Sequence, residues 1–236
     1  MGYYHVSATY IALCSSLIAC GVWEAISMLD GVLENRSEIH PASLHADTQG
    51  QSEPVFGLAS RLAMQLLPRM RHWKHLHLYV PSEPCAVDQI EHMRELLSGT
   101  IDWTLIKTHL PAMVRVAISS SQGKIRSSTM LRKLGTYSRK NKLYWAFCEL
   151  GRVVRTVFLL TFISHPARRR TINATTNIAE NWNEFVQWAA CGGEGVIRYN
   201  NRDEQRKAIR YTHLVATLVV LHNVVSMTRN FPGTGC

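Results

Sequence analysis

"SLHADTQGQSEPVFGLASRLAMQLLP", residues 43–68, changes character three times. Leu44 and Ala46 close a short apolar run opened by Pro41, as a buried strand would. Asp47 then starts a polar turn, Thr48 to Ser52, with a glycine at position 50. From Ser52 the pattern is helical. Ser52 is placed to cap, Pro54 falls in the first turn, and Val55, Leu58 and Leu62 share a face. The residues from Leu66 to Trp73 read as the next strand. Strand, turn, helix and strand within so short a stretch define an α/β unit.

The same alternation extends outward. Residues 3–20 read as one or two strands rich in Tyr, Ile and Val, and residues 21–37 as a helix with Val22, Ile26, Leu29 and Leu33 at helical spacing. A further strand is expected at 76–81. After Pro84 the period is almost wholly helical to about 165, with expected breaks at Gly99, Pro111, Gly123 and Gly135 and an exposed turn at 119–123. Helices return at about 170–190 and 203–229, separated by "CGGEG" at 191–195.

The chain has 236 residues, 46% hydrophobic and 18% charged, which suits a folded domain with a real core. Its net charge of +9 favours a polyanionic partner. The positive residues are clustered: Arg69, Arg71 and Lys74; Arg132, Lys133, Arg139, Lys140 and Lys142; Arg152 and Arg155; "ARRR" at 167–170; and Arg198, Arg202, Arg206, Lys207 and Arg210. One such cluster would read as a solvated helix face, whereas five with few compensating acids point to nucleic acid. A membrane-binding helix would need a broad apolar face beside its charges, and none is expected outside the core. The apolar N-terminal run "YIALCSSLIACGVW" lacks a preceding Lys or Arg and reads as buried strand rather than leader, so a soluble, cytoplasmic protein is expected. Cys14, Cys20, Cys85, Cys148, Cys191 and Cys236 form no CxxC pair and read as reduced thiols. His72, His75 and His77 lack nearby Cys or acidic ligands, so core or surface roles outweigh a metal site.

Basic α/β proteins that act on nucleic acid often transfer phosphoryl groups, chemistry that uses hard divalent ions held by carboxylates. Asp47 suits this use, because ligands gather at the C-terminal edge of strands in α/β sheets. One Asp cannot hold a pair of ions. Glu180, on the helix "TTNIAENWNEFVQW" with Glu184 one turn later, is the second candidate. On spacing alone a solvated helix face explains it better.

Three stretches change that balance: "LHADTQGQSEPVFGLA", "LRKLGTYSRKNKLYWAFCELGRVVRTVFLL" and "GGEGVIRYNNRDEQRKAIRYTHLVA". They closely resemble the C-terminal catalytic region of Tn-three-type replicative transposases, and the resemblance runs from about Tyr3 to Arg229. It implies a ribonuclease-H-like core of the DDE class, interrupted by a helical insertion before its last acidic residue. The implied organisation is a partial α/β core at 1–84, the insertion at 85–168, helices completing the core at 169–230 and a tail at 231–236. It places the second acidic ligand at Asp47, within "ADTQGQ", and the final Glu at Glu180, within "TNIAENWN". It implies Mg²⁺ or Mn²⁺, DNA as partner at transposon ends and target, and a homodimer. Arg139, Lys140, Arg202 and Arg206 lie in the matching basic motifs and are assigned to the DNA backbone. Tyr137 and Tyr144 are assigned to packing.

The departures from the family pattern are also informative. The first catalytic Asp is expected upstream of Met1, on a strand that the core would then lack. Ala8 stands where Asp is expected, and Cys148 where Arg is expected. The resemblance therefore implies a transposase fragment, inactive alone for want of one ligand. The alternative is a non-catalytic remnant that still binds DNA.

Overall fold

Burial follows the alternation of residues 43–46: Leu44 and Ala46 are buried, while Ser43 and His45 are half-buried. The computed structural model describes residues 2–18, 24–35, 38–39, 41–72, 74, 76–81, 96–136, 141–190 and 197–230. Two antiparallel strands, β1 (Gly2–Val6) and β2 (Ala12–Leu17), open the chain, followed by α1 (Glu24–Leu33). Next come β3 (Ser43–Ala46), a one-turn 3-10 helix (Thr48–Gln51), α2 (Glu53–Arg61) and β4 (Gln65–Pro68). β3 and β4 pair in parallel, with Leu44 opposite Leu66 and Ala46 opposite Pro68. β5 (Leu78–Val80) pairs in parallel with β6 (Leu97–Thr100). The helices α3 (Trp103–Ser121), α4 (Ser127–Thr136), α5 (Lys142–Ser164), α6 (Pro166–Ala189) and α7 (Arg202–Asn230) complete the chain.

The protein is thus α/β. Among the described residues its strands form three separate two-stranded ladders. The chain divides into two compact units, one of residues 1–22 and 177–236, the other of residues 23–176.

The second unit is built on the contact between α2 and α5. Val55, Phe56, Leu58 and Ala59 of α2 are fully buried, as are Phe147 and Leu159 of α5. Two glycines let the backbones touch. A Cβ on Gly57 would lie 2.1 Å from the Phe147 carbonyl oxygen, and one on Gly151 would lie 1.7 Å from the Glu53 carbonyl oxygen. α1 is fixed to α4 by Asp30, whose carboxylate accepts the Ser128 amide at 3.1 Å and the Ser128 hydroxyl.

In the first unit, Trp182 and Val186 of α6 and Ala216 of α7 form the core, with Tyr4, Val6 and Ala12 of the hairpin packed on it. His213 of α7 bonds Ser15 Oγ at 3.0 Å and packs edge-on against the Tyr4 and Trp182 rings. Burial lowers the pKa of His5, on β1, to about 4, and burial also lowers that of His213. An unfolded histidine titrates near 6.5. Below that pH the unfolded chain takes up a proton that the folded hairpin refuses until about pH 4. The His5 contribution to stability is therefore complete above 6.5 and is lost as the pH falls toward 4. The first unit is expected to lose up to about 3 kcal/mol over that window. Melting followed against pH checks this, and His5→Gln should flatten the profile.

Several expectations need correction. Leu97–Thr100 is a strand, not helix, because pairing with β5 outweighs the surrounding helical period. Gly99 there leaves room for the Tyr79 ring, which a Cβ would meet at 2.8 Å. Pro111 does not break a helix. It sits inside α3 on an exposed position, as does Lys107, so the carbonyl freed by the missing N–H faces solvent. α3 continues to Ser121, and the exposed connection to α4 runs over residues 122–126. Gly135 lies within α4. Ser52 occupies the cap position of α2, but its side chain makes no cap bond. A broad apolar face does exist beside basic residues. Tyr211, Leu214, Leu218 and Leu221 of α7 are more than half exposed, following Arg202, Arg206, Lys207 and Arg210. α7 is long and apolar enough to cross a membrane by length and composition, a test that core helices of soluble proteins also pass. The "CGGEG" stretch lies outside the described residues.

Candidate catalytic site

β3 ends at Ala46, and the next residue, Asp47, is exposed. Its backbone is extended (φ −70°, ψ 179°) and it opens the 3-10 turn without capping it through its side chain. The Gly50 amide closes the turn by donating to the Asp47 carbonyl at 2.8 Å. Glycine is needed at 50, because a Cβ there would lie 2.5 Å from that of Ala46. A carboxylate at a strand tip, uncommitted to the cap, is a hard oxygen donor of the kind a divalent ion takes.

Directly after the turn lies a group of paired charges. Glu53 Oε1 accepts from Arg155 Nη2 at 2.8 Å and from the Tyr79 hydroxyl at 3.2 Å. Glu53 Oε2 accepts from Arg152 Nε at 3.0 Å. Arg152 also pairs with Glu149, whose other oxygen accepts the Asp102 amide at 3.1 Å. The Arg152 guanidinium lies 5.0 Å from the centre of the Tyr79 ring. Burial raises the Tyr79 hydroxyl pKa, and the neighbouring Glu53 carboxylate raises it further. Cys148 is buried beside this network. Burial, with Glu53 adding to it, pushes its thiol up to about 12, so it stays protonated and is no nucleophile.

Glu180 lies on α6 and is exposed, as is Glu184 one turn later, while Trp182 and Val186 face the core of the first unit. Asn181 donates to the Tyr10 hydroxyl at 3.3 Å, which fixes this part of α6 to the hairpin. Asp47 thus belongs to the second unit and Glu180 to the first. Among the described residues no group of three or more His, Cys, Asp or Glu side chains is disposed to hold a metal ion.

The assigned DNA contacts divide into two sets. Arg71, Arg132, Lys133, Lys142, Arg202, Arg206 and Lys207 are exposed. Arg206 pairs with Asp203 at 3.2 Å and Lys207 with Glu204 at 2.8 Å, both on the surface. Arg69 is half-buried and donates to the Asn173 carbonyl at 3.3 Å. Arg152 and Arg155 are turned into the Glu53 network, with side chains 24% and 11% exposed. Tyr137, Arg139 and Lys140 lie outside the described residues, as does His75. Cys14 and Cys148 are in no disulfide, and the other four cysteines lie outside the described residues.

The sequence reading missed Glu53 and Glu149, the acidic partners of two arginines assigned to DNA. "ELGRVVR" holds the only local signal, Glu149 and Arg152 one helical turn apart. Nothing local links Glu53 to residues a hundred positions away.

Residues 1–233 match the family described as Tn3 transposase DDE domain. The chain belongs to that family. It is 32% identical over 231 residues to the transposase for transposon Tn501 of Pseudomonas aeruginosa, a match covering 98% of this chain and 23% of that protein. It is 32% identical over 227 residues to the transposase for transposon Tn3926 of Escherichia coli, covering 96% of this chain and 23% of that protein. The transposase for transposon gamma-delta of Escherichia coli K12 is 28% identical over 225 residues, covering 95% of this chain and 22% of that protein. The chain therefore spans about a quarter of the length of these relatives. No solved structure matches it.

A DDE transposase domain brings divalent-metal chemistry as a family property. Asp47 and Glu180 are each exposed carboxylates, hard oxygen donors of the class such an ion takes.

Proposed function

We propose that the chain carries part of the catalytic machinery of a DNA transposase, with Asp47 and Glu180 as two of its metal-ligating carboxylates. The observation that carries this reading is the family match over residues 1–233, with Asp47 exposed at the tip of β3. The core is read as ribonuclease-H-like, spanning 1–84 and 169–230 around a helical block at 85–168. When bound, a pair of divalent ions, Mg²⁺ or Mn²⁺, would supply activation of the attacking oxygen and charge stabilisation at the leaving one. The chain's own residues present carboxylate oxygens from the end of β3 and from α6, and hold phosphates through exposed Arg and Lys. A homodimer acting in the cytoplasm on nucleoid DNA completes the proposal.

DNA contact is assigned to Arg71, Arg132, Lys133, Lys142, Arg202, Arg206 and Lys207, with Arg69, Arg139 and Lys140 as further candidates. Arg152 and Arg155 are assigned instead to the support of the Asp47 turn. Each phosphate neutralised releases counterions, so seven contacts would lower affinity by roughly a thousandfold or more between 50 and 200 mM salt. Fluorescence anisotropy with labelled duplex checks this, with little sequence preference expected. Affinity indifferent to salt would contradict the basic-face assignment.

A second reading rests on the basic side chains alone: Arg71, Arg132, Lys133, Lys142, Arg202, Arg206 and Lys207 are all exposed. On that reading the 236 residues bind DNA without cutting it. The two are separated by grafting these residues in place of the matching region of a full-length relative, such as the Tn501 transposase, and assaying the hybrid with Mn²⁺ for nicking of supercoiled plasmid. Nicking lost in both Asp47→Asn and Glu180→Gln supports catalysis, and DNA binding without nicking supports the second reading.

A further inference from the structure

One guanidinium fork spans the junction between the Asp47 turn and α2. Arg155 Nη1 donates to the Gln51 carbonyl at 3.2 Å, and Arg155 Nη2 to Glu53 Oε1 at 2.8 Å. Gln51 is the last residue of the 3-10 turn, and Glu53 the first of α2. Arg155 itself stands on α5, with the buried Thr156, Phe158 and Leu159 immediately following it. The fork is largely withdrawn from water, where charge-assisted bonds are strongest. The turn is closed by the Gly50 amide on the Asp47 carbonyl, and neither Asp47 nor Ser52 adds a side-chain cap.

We infer that Arg155 is a positioning residue: its two bonds hold the Asp47 turn in register with α5 and so aim the Asp47 carboxylate. This inference rests on the reading of Asp47 as a metal-facing group. It explains why arginine stands at 155. A lysine ammonium would keep the ion pair with Glu53 but has no rigid fork to reach the Gln51 carbonyl at the same time. Glu53 and Arg152 complete the support, because Glu53 is fixed from its other oxygen by Arg152.

The experiment compares wild type, Arg155→Lys and Asp47→Asn in the full 236-residue chain by amide hydrogen exchange, Mn²⁺ electron paramagnetic resonance and thermal melting. Arg155→Lys should retain a cooperative melt. It should exchange the amides of residues 48–51 about tenfold faster, leave those of residues 147–151 unchanged, and weaken Mn²⁺ binding several-fold. Asp47→Asn should abolish that Mn²⁺ binding and leave Arg155 in place. Exchange at 48–51 or Mn²⁺ affinity unchanged in Arg155→Lys, with Asp47→Asn still defective, overturns the positioning role and leaves the reading of Asp47 standing. Mn²⁺ binding absent from wild type, or unaffected by Asp47→Asn, overturns the reading of Asp47 and this inference with it. Should Arg155→Lys not fold, Arg155→Gln is scored by the same criteria, since its amide can donate one bond but not form the fork.

Discussion

Gly151→Ala is expected to unfold the second unit at a temperature roughly 10 °C below wild type. In most helix interiors this change stabilises by up to about 1 kcal/mol, because alanine loses less backbone entropy on folding. Here the added Cβ would lie 1.7 Å from the Glu53 carbonyl oxygen and 2.5 Å from its carbon, atoms of the facing helix backbone. No rotamer can relieve that overlap, so α2 must move away from α5. The net cost is expected to reach about 3 kcal/mol, the upper range for overpacked cores. Gly135→Ala is the control. Its Cβ would meet only the Tyr144 ring, at 3.4 Å, and should raise the melting temperature slightly. A higher melting temperature for Gly151→Ala would contradict the backbone contact between α2 and α5.

Glu53→Ala is expected to cost about as much, for an electrostatic reason. The substitution leaves Arg155 with only the Gln51 carbonyl of its two bonds, while Arg152 retains Glu149. Removing one member of a buried pair costs roughly 3–5 kcal/mol, chiefly because the other charge stays out of water. The lower figure applies here, since Arg152 can still reach solvent. Glu53→Gln, which keeps acceptor geometry at one oxygen, should lose less than half as much. Urea unfolding followed by tryptophan fluorescence measures both, and equal losses would mean that the ion pairs contribute little.

These two predictions concern residues whose roles were unevenly legible in the sequence. The passage from Leu44 through Asp47 to Leu58 could be read directly, because a short alternating strand, a polar turn and a helix start are all local patterns. β6 could not be read, because Leu97–Thr100 becomes a strand only by pairing with β5. The passage of α3 through Pro111 depends on which side of the helix faces water, a tertiary fact. The arginines at 152 and 155 looked like part of a basic surface because their acidic partner, Glu53, is remote in the chain. Asp47 and Glu180 stand out in the sequence as candidate carboxylates, and the family resemblance is what assigns them the ligand roles. Spacing alone did not separate Glu180 from Glu184 or from any other exposed helical acid.

The central proposal is that Asp47 and Glu180 are metal-ligating carboxylates, and iron-directed cleavage of the polypeptide tests it most directly. Fe²⁺ bound in place of Mg²⁺ generates hydroxyl radicals, with ascorbate and peroxide, that cut the chain beside its ligands. The account predicts two cuts, next to residues 47 and 180, both suppressed by excess Mg²⁺ and both lost in Asp47→Asn. Cleavage beside one of these residues but not the other, or a cut at 180 that survives Asp47→Asn, would contradict it.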